Sequence, residues 1–317
     1  MLNEKIDKNS DDLTFNKLLE MKVDEKSEQI AEIASRATKE ATLDTQFRVI
    51  ELSWDKKELS PKEVIGKKDV YILDEFEELN QYLDEHLVNL SAIIGNRYSN
   101  NIRDEVGKIY REVSLFQEIL EEWMYLQRSW RYLESIFSAA DEIKSSLAQE
   151  KKRLTKIDSE WINYMRGTNK NRRVRHKVRN EKISIYNSVY ENDLDFLRKN
   201  KGYLEEIQKS LEAHLEKKRE DFPRFYFLSN DELLQILAGA KNPESVQPHL
   251  KKLFENITSL EFDPSNSEEV FAMISGEGER VGITVRAKSG PEVWLKDLQE
   301  QMKKKVRLLV RVRSLFF

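Results

Sequence analysis

The distribution of proline most strongly limits what this chain can fold into. The 161 residues from Lys62 to Phe222 contain no proline, whereas five of the six prolines lie from Pro223 to Pro291. Proline breaks helix interiors, and Gly and Pro make most turns. With only 10 Gly and 6 Pro in 317 residues, the chain is expected to form long helices. This argues against a β-sandwich, a barrel or a Rossmann-like enzyme.

The clearest apolar periodicity runs over 112–165. Trp123, Trp130 and Phe137 follow one another at intervals of seven, and Trp161 continues the pattern after a short slip. Such spacing places side chains on one face of a helix. It predicts one very long helix, or two helices joined by a tight turn, with the aromatic residues in a bundle core rather than around a ligand.

Other stretches also have helical spacing. Residues 12–60 and 71–94 carry apolar residues at steps of three and four, with a polar break around Pro61 between them. A further helix is predicted over 183–220. Its inward face is expected to comprise Tyr203, Ile207, Leu211 and Leu215.

A dense aromatic segment follows this helical body. It reads Phe222-Pro223-Arg224-Phe225-Tyr226-Phe227. Pro223 is expected to end the preceding helix, because it has no backbone donor and disfavours helical geometry at the residue before it. The aromatic residues and Pro223 are expected in a core, and Arg224 is expected to place its charge at an edge or on a carboxylate.

The remainder of the chain predicts a mixture of helices and short strands. Ser229 and the acidic residues after it are typical of an N-cap, which opens a short helix through Leu237. Helices are also predicted over 246–256 and 291–312. Between them lie three β-favouring runs, at 257–262, 270–275 and 282–287. These runs predict a hairpin or a three-stranded patch.

The turn at Gly276–Gly278 would form the tip of that patch. Glu277 and Glu279 are expected there, exposed and available to a partner. A solvated turn is the simpler interpretation of both residues.

Residues 166–182 form a strongly basic run. They contain eight Lys or Arg and one acid, Glu181. Such a run suits nucleic acid or an acidic partner, but no aromatic residues interleave it on which bases could stack. A solvated loop or a charged helix face is therefore the favoured interpretation.

Motifs for catalysis or cofactor binding are missing from the sequence. The Gly-Lys pairs at Gly66 and Gly107 lack the other residues of a Walker A motif. The four His residues are far apart, and the chain has no Cys for disulfides, thiol catalysis or zinc. The sequence contains no run of 18 apolar residues, which is about the length that a transmembrane helix needs. No catalytic, cofactor-binding or metal-ligating residue is therefore predicted.

Several long motifs nevertheless resemble the linker region of axonemal dynein heavy chains. They are FPRFYFLSNDELLQIL at 222–237, VQPHLKK at 246–252, GEGE at 276–279 and VWL at 293–295. Upstream, the aromatic pattern within 123–165 also matches. The structural core of this resemblance is expected to comprise Trp123, Trp130, Phe137, Trp161, Phe222, Pro223, Phe225, Phe227 and Trp294.

The resemblance implies a mechanical role. In this family the linker is a helical lever that lies across a ring of AAA+ modules and bends as the first module binds and hydrolyses ATP. ATP and Mg²⁺ would belong to that ring, with microtubules and dynein intermediate and light chains as indirect partners and no nucleic acid or membrane. The implied location is the cytoplasmic cytoskeleton, in a ciliary or flagellar axoneme. Arg224, Glu277 and Glu279 become candidate ring-contact or coupling residues.

The expected fold is mostly α, an elongated multi-helix bundle rod with a small β patch near residues 257–287. We expect the chain to be a fragment, because a heavy chain would also carry a tail and a ring. The expected parts are a disordered N-terminus at 1–11, an N-terminal helical part at 12–99, a central long-helix bundle at 100–221, a C-terminal linker part at 222–302 and an atypical basic end at 303–317.

Two alternatives remain open from the residues. One is a coiled-coil or spectrin-like scaffold, although such a scaffold has no need of the aromatic and strand segments after residue 222. The other is a nucleic-acid-binding module that uses 166–182.

The second alternative makes a direct prediction. Nucleic-acid binding through the basic run should fall steeply with salt and vanish when Arg172, Arg173 and Arg175 become Ala. A filter-binding titration at two salt concentrations measures this, and the absence of such binding removes the alternative.

Overall fold

A computed structural model describes residues 26–179, 181–185, 188–264 and 266–313, and the side chains of all of these except 266, 267, 312 and 313. The predicted disordered N-terminus and the first part of the predicted helical stretch at 12–60 lie outside the described residues. Two compact units are present. Unit 1 comprises the described residues of Met1–Ser60, Leu73–Leu120 and Asn171–Arg179, and unit 2 comprises those of Pro61–Ile72, Glu121–Lys170 and Asn180–Phe317.

Unit 1 is built from helices that bury aromatic and aliphatic side chains between them. They are α1 (Ser27–Lys56), α2 (Phe76–Gly95) and the first half of α3 (Arg103–Ala139). Phe47 and Trp54 of α1 are fully buried, and the Trp54 ring meets the edge of Phe116 at 5.9 Å. Trp54 Nε1 donates to Glu112 at 3.1 Å, which satisfies the indole inside the core.

The helix predicted from residue 71 begins five residues later. In unit 2, a two-residue strand β1 (Lys62–Glu63) pairs antiparallel with β2 (Tyr71–Ile72). Backbone groups in a strand pair cannot also start a helix, so α2 begins at Phe76.

The long periodic stretch resolves into two long helices rather than one. In unit 2, α3 ends at Ala139, a short α4 (Asp141–Ser146) follows, and α5 (Ala148–Lys170) continues the pattern. Trp161 lies 5.6 Å from Trp130 and 6.5 Å from Trp123, measured between ring centroids. The predicted bundle core is confirmed for these residues, and Phe137 is also fully buried.

The prediction of a helix over 183–220 is wrong for residues 183–185 and 188–192. Strands β3 (Ile183–Ile185) and β4 (Ser188–Tyr190) pair antiparallel instead. The reason is tertiary: Glu160 of α5 is buried, and it accepts hydrogen bonds from Ser188 Oγ at 2.7 Å and Tyr190 Oη at 2.6 Å. A buried carboxylate needs such donors, and the hairpin supplies them.

The following helix, α6 (Asp193–Asp221), starts at an Asn192 cap whose side chain accepts from the backbone N–H of Asp195. Tyr203 is 45% exposed, so its predicted inward position is wrong. Leu204 occupies that face instead, in step with the buried Ile207, Leu211 and Leu215. The helix ends before Pro223, as predicted.

The segment after α6 is compact and irregular before it turns into a sheet. A 3-10 turn (Pro223–Phe227) leads to α7 (Asn230–Ala238), where Ser229 and Glu232 form the predicted cap as a reciprocal capping box. The helix predicted over 246–256 is wrong. Pro248 has no backbone donor, so a 3-10 segment (Pro243–His249) and a single α-turn, α8 (Leu250–Leu253), replace it.

The predicted three-stranded patch is confirmed. Strands β5 (Ile257–Asp263), β6 (Asn266–Ser275) and β7 (Arg280–Arg286) form one antiparallel sheet in the order β5-β6-β7. Gly278 has a φ of +83° in the β6–β7 turn, which favours glycine. The last helix, α9 (Pro291–Arg313), buries Trp294, Leu295 and Leu298.

The described part of the chain is thus mostly α with a small β patch, as the sequence predicted. None of the described helices combines the length and apolar character needed to cross a membrane.

The Trp161 packing generates a stability prediction. Trp161→Ala should lower the free energy of unfolding by about 3–5 kcal/mol, since it removes a fully buried aromatic side chain. Trp161→Phe should cost less, because Trp161 Nε1 is buried with no hydrogen-bond partner among the described residues. Urea denaturation measures both effects. The control is Tyr203→Ala, which changes an exposed aromatic and should cost less than about 0.5 kcal/mol. Equal losses for Trp161→Ala and the control would contradict the prediction.

Candidate functional site

Arg224 is the predicted coupling residue with the most connections. It lies in the 3-10 turn, where Nε donates to Gln299 Oε1 at 3.1 Å and Nη1 donates to the carbonyl of Leu253 at 2.6 Å. Its guanidinium stands 4.8 Å from the centroid of the Phe254 ring. The sequence left an edge or a carboxylate open for Arg224, and the half-buried guanidinium contacts a carbonyl, an amide oxygen and an aromatic face. Arg224 ties the 3-10 turn to both α8 and α9.

The aromatic segment around Arg224 divides into two faces. Phe222 and Phe225 are buried and meet edge to face at 5.0 Å. Phe227 is 67% exposed and Pro223 is also exposed, so the prediction that these two residues lie in the core is wrong. A 3-10 turn has three residues per turn, so residues 222 and 225 share a face.

The remaining aromatic residue of this segment, Tyr226, was also expected in the core and is 54% exposed instead. Its Oη donates to Glu216 at 2.5 Å. The hydrogen bond holds Tyr226 against the surface of α6.

A second junction joins α4, α6 and α9 through one cation. Lys218 Nζ donates to Glu142 Oε1 at 2.5 Å and to Glu292 Oε1 at 2.6 Å. Burial of the ammonium lowers the pKa of Lys218, but the hydrogen bonds to the two carboxylates outweigh burial and raise the pKa overall. Removing such a partly buried cation would leave two carboxylates facing each other.

His214 lies one turn before Lys218 on α6. Its Nε2 is buried and has no hydrogen-bond partner among the described residues. Burial lowers the pKa of His214, and the neighbouring charge of Lys218 lowers it further, while Glu142 and Glu292 act in the opposite direction. The surroundings of His214 therefore favour its neutral form.

The predicted hairpin tip carries Glu277 and Glu279 as exposed side chains. Ser275 Oγ accepts the backbone N–H of Glu277 at 3.3 Å and that of Glu279 at 3.0 Å, which fixes the turn. Their location matches the prediction, and their ring-contact role stays a prediction.

A groove of about 560 Å³ lies between the sheet and the second half of α9. It brings Arg224 and Glu279 to one place, whereas Glu277 is outside it. Sequence reasoning missed its helix wall, which comprises Met302, Val306, Leu309 and Val310. Met302, Val306 and Leu309 are four and three residues apart, so they continue the inward face of α9 and could have revealed it.

The basic run is partly built into the structure. In unit 1, Arg175 Nη1 donates to Asp55 at 2.9 Å and Nε donates to Glu112 at 3.1 Å, and the hydrogen bond from Arg175 lowers the pKa of Asp55. Val174 is fully buried, and its backbone N–H donates to the carbonyl of Lys57. The segment is therefore not simply a solvated loop, and the charge of Arg175 is already used in ion pairs.

Among the residues that the structure describes, no group of three or more His, Asp or Glu is arranged to hold a metal ion. The two junctions join helices, and the groove lies between the sheet and α9.

Comparison with known sequences identifies the class of protein. The profile of the family "Dynein heavy chain, N-terminal region 2" matches residues 1–312, and the chain belongs to this family. Because the chain belongs to this family, the hypothesis of a generic coiled-coil or spectrin-like scaffold is set aside.

Particular relatives are axonemal or flagellar dynein heavy chains. The chain is 35% identical to dynein axonemal heavy chain 6 of Homo sapiens over 318 residues, which cover 94% of this chain and 7% of the relative. It is 36% identical to dynein axonemal heavy chain 1 of Mus musculus, covering 95% of this chain and 7% of the relative. It is 32% identical to the dynein-1-alpha heavy chain of the flagellar inner arm I1 complex of Chlamydomonas reinhardtii, covering 96% and 6%. The chain thus spans a small part of each relative.

The junction at Lys218 generates a pH prediction. The pKa of His214 is lower in the folded chain than in the unfolded chain, so the unfolded chain binds more protons as the pH falls below about 6.5. The free energy of unfolding should therefore fall as the pH is lowered from 7.5 to 5.5. The change has an upper limit, because the unfolded chain binds at most about one more proton at His214 than the folded chain does. His214→Gln should reduce this loss without abolishing it, because burial also lowers the pKa of His86.

Thermal unfolding at the two pH values measures this effect. His176→Gln, at a partly buried histidine outside the junction, serves as the control. If His214→Gln kept the full pH dependence of the unsubstituted chain, His214 would have no part in it.

Proposed function

We propose that this chain is the mechanical linker element of an axonemal dynein heavy chain. It transmits force between the AAA+ ring of the same heavy chain and the remainder of that chain, and it is not itself catalytic. ATP and Mg²⁺ act in the ring, and the output is minus-end-directed motility along microtubules. Dynein intermediate and light chains are indirect partners, and the site of action is the axoneme of a cilium or flagellum.

The observation that carries the proposal is the membership of the dynein heavy chain N-terminal family along residues 1–312. The relatives named above support the axonemal assignment, since their names are those of axonemal and flagellar dynein heavy chains.

The construction of the described helices suits a load-bearing element. Helices α3 and α6 have 37 and 29 residues, so each is about 40–55 Å long at 1.5 Å per residue. Charge pairs such as Lys199–Asp195 at 2.9 Å, four residues apart, support the helix surface. Long helices that are braced in this way resist bending along their axes.

The two junctions are suited to pass force from one helix to another. Lys218 links α6 to α4 and α9, and Arg224 links the following 3-10 turn to α8 and α9. Each cation contacts α9 through a different side chain, Glu292 and Gln299. A pull on α9 is therefore shared between the contacts of Lys218 and Arg224. Arg224 is the better candidate for coupling than Glu277, because Arg224 contacts α9 whereas Glu277 is an exposed side chain at the hairpin tip.

The proposal predicts uncoupling when Arg224 is removed from a motor that contains this segment. In the full heavy chain, Arg224→Ala should slow microtubule gliding by more than it lowers ATP turnover, because the ring still hydrolyses ATP while the 3-10 turn loses its hydrogen bonds to Gln299 of α9 and to the Leu253 carbonyl of α8. Gliding assays and phosphate release measure the two quantities on the same preparation.

Arg286→Ala is the matched control, since Arg286 is an arginine with a side chain 80% exposed that pairs with Glu269 on the sheet. Normal gliding by a properly folded Arg224→Ala motor would refute the coupling role. ATP turnover by the isolated chain, lost on a substitution within it, would refute the non-catalytic role.

A further inference from the structure

The packing of α5 against α6 in unit 2 leaves a cleft of about 240 Å³ between the two helices. The helices run antiparallel, because Arg153 near the start of α5 pairs with Glu206 at 3.1 Å, whereas Tyr164 further along α5 stacks on Phe196 near the start of α6. The cleft begins at the ion pair and extends towards that stack. A cavity of about 150 Å³ can hold benzene, so this cleft has room for one or two fused rings.

The middle of the cleft is apolar, and the end towards Tyr164 is polar. Ile157 of α5 and Tyr203 of α6 line the middle, the first buried and the second 45% exposed. Glu160 and Asn200 line the polar end, and both are buried. A flat apolar ring system between Ile157 and Tyr203 would contact both helices.

The polar end holds a buried acceptor with no donor. Asn200 Nδ2 donates to the carbonyl of Phe196 at 3.0 Å, and this bond fixes the orientation of the amide because a carbonyl can only accept. Asn200 Oδ1 is then left buried, without a hydrogen-bond partner among the described residues. Glu160 is already satisfied, since it accepts from Ser188 and Tyr190. An unpaired buried acceptor is costly, so this end favours a ligand that brings an N–H or O–H group.

The charges around the cleft select a neutral ligand and a free one. Arg153 and Lys156 supply two cations, and Glu160 and Glu206 supply two carboxylates, so the lining has no net charge. Of these four residues, all but Glu160 are exposed and form the rim. Charged side chains are depleted from the cores of protein interfaces. A free small molecule therefore suits the cleft better than a side chain carried by a partner protein.

We propose that the cleft between α5 and α6 binds a small neutral heteroaromatic molecule of the indole class. Its fused rings lie between Ile157 and Tyr203, and its N–H donates to Asn200 Oδ1. The bound molecule contacts both helices, so it stabilises the packing of α5 on α6. The site involves neither Lys218 nor Arg224, and the proposal does not rest on the lever role.

A ligand-detected NMR titration of the whole chain with indole tests the proposal. The matched ligand is benzothiophene, which has the same two-ring shape with a sulfur in place of the N–H and cannot donate to Asn200. Indole should bind at least about fivefold more tightly, because it alone satisfies the buried acceptor. N-acetyltryptophanamide carries the indole ring on a peptide unit, and it should bind no more tightly than indole.

Two substitutions separate the polar contact from the apolar one. Asn200→Leu keeps the approximate size of the side chain and removes the acceptor, so indole should then bind within about twofold of benzothiophene. Tyr203→Ala removes one apolar wall and should weaken both ligands at least about fivefold. The matched control is Tyr226→Ala, at an exposed tyrosine that does not line the cleft, and it should leave both affinities within about twofold. Both tyrosines are exposed, so these two variants should fold even if Asn200→Leu does not, and circular dichroism checks all three.

Several results would overturn the proposal. Indole that does not bind would show that water alone occupies the cleft, and benzothiophene that binds as tightly as indole would remove the role of Asn200. Retention of the indole preference in a folded Asn200→Leu chain, or equal losses in the two tyrosine variants, would place the ligand elsewhere. Tighter binding of N-acetyltryptophanamide than of indole would assign the cleft to a tryptophan of a partner protein instead. None of these results bears on the lever role, which Arg224 tests separately in the full motor.

Discussion

The burial of Trp161 against the tryptophans of α3 is the interaction on which unit 2 depends. Helix α5 must run alongside α3 to cover its aromatic face, and Trp130 Nε1 donates to Asp158 of α5 at 3.0 Å, which sets the register between the two helices. The aromatic layer continues to α6, because Tyr164 of α5 stacks on Phe196 of α6 with 4.5 Å between the ring centroids. Long helices cannot bury their apolar faces alone, so each one fixes the position of the next.

Charge completes what apolar burial begins. Glu160 of α5 is buried and recruits Ser188 and Tyr190, which draws a hairpin onto the bundle, and burial together with the hydrogen bond to Glu160 raises the pKa of Tyr190 to about 12. Lys218 and Arg224 then attach α9 to that bundle. The position of α9 in turn creates the groove, because its second half extends beyond the side chains that cover its first half.

Local chemistry was a good guide wherever one residue type dictates a backbone geometry. Pro223 ended α6, Ser229 and Glu232 formed their capping box, and Gly278 adopted a positive φ in the turn between β6 and β7. These outcomes depend on the residue itself and its immediate neighbours. The candidate-site residue Glu279 was placed at the correct turn for the same reason.

Local chemistry failed where distant partners decide. The segments 183–185 and 188–190 lie within a stretch that predicts a helix, yet they pair as strands, and Glu160 accepts hydrogen bonds from Ser188 and Tyr190. Phe227 is as apolar as Phe225, and only the three-residue period of the 3-10 turn separates an exposed position from a buried one. The partners of Arg224 could not be read from the sequence, because Gln299 and the carbonyl of Leu253 come from elements far along the chain.

The sequence alone determined the helical class, the strand patch near 257–287 and the likeness to dynein heavy chains, since periodicity, proline placement and ordered motifs are properties of the chain itself. The tertiary structure alone decided how Lys218 bridges two carboxylates and where the face of α9 loses its cover. Those features depend on distances between segments that are remote in sequence. Such distances are set only when every helix has found the neighbour that buries its apolar face.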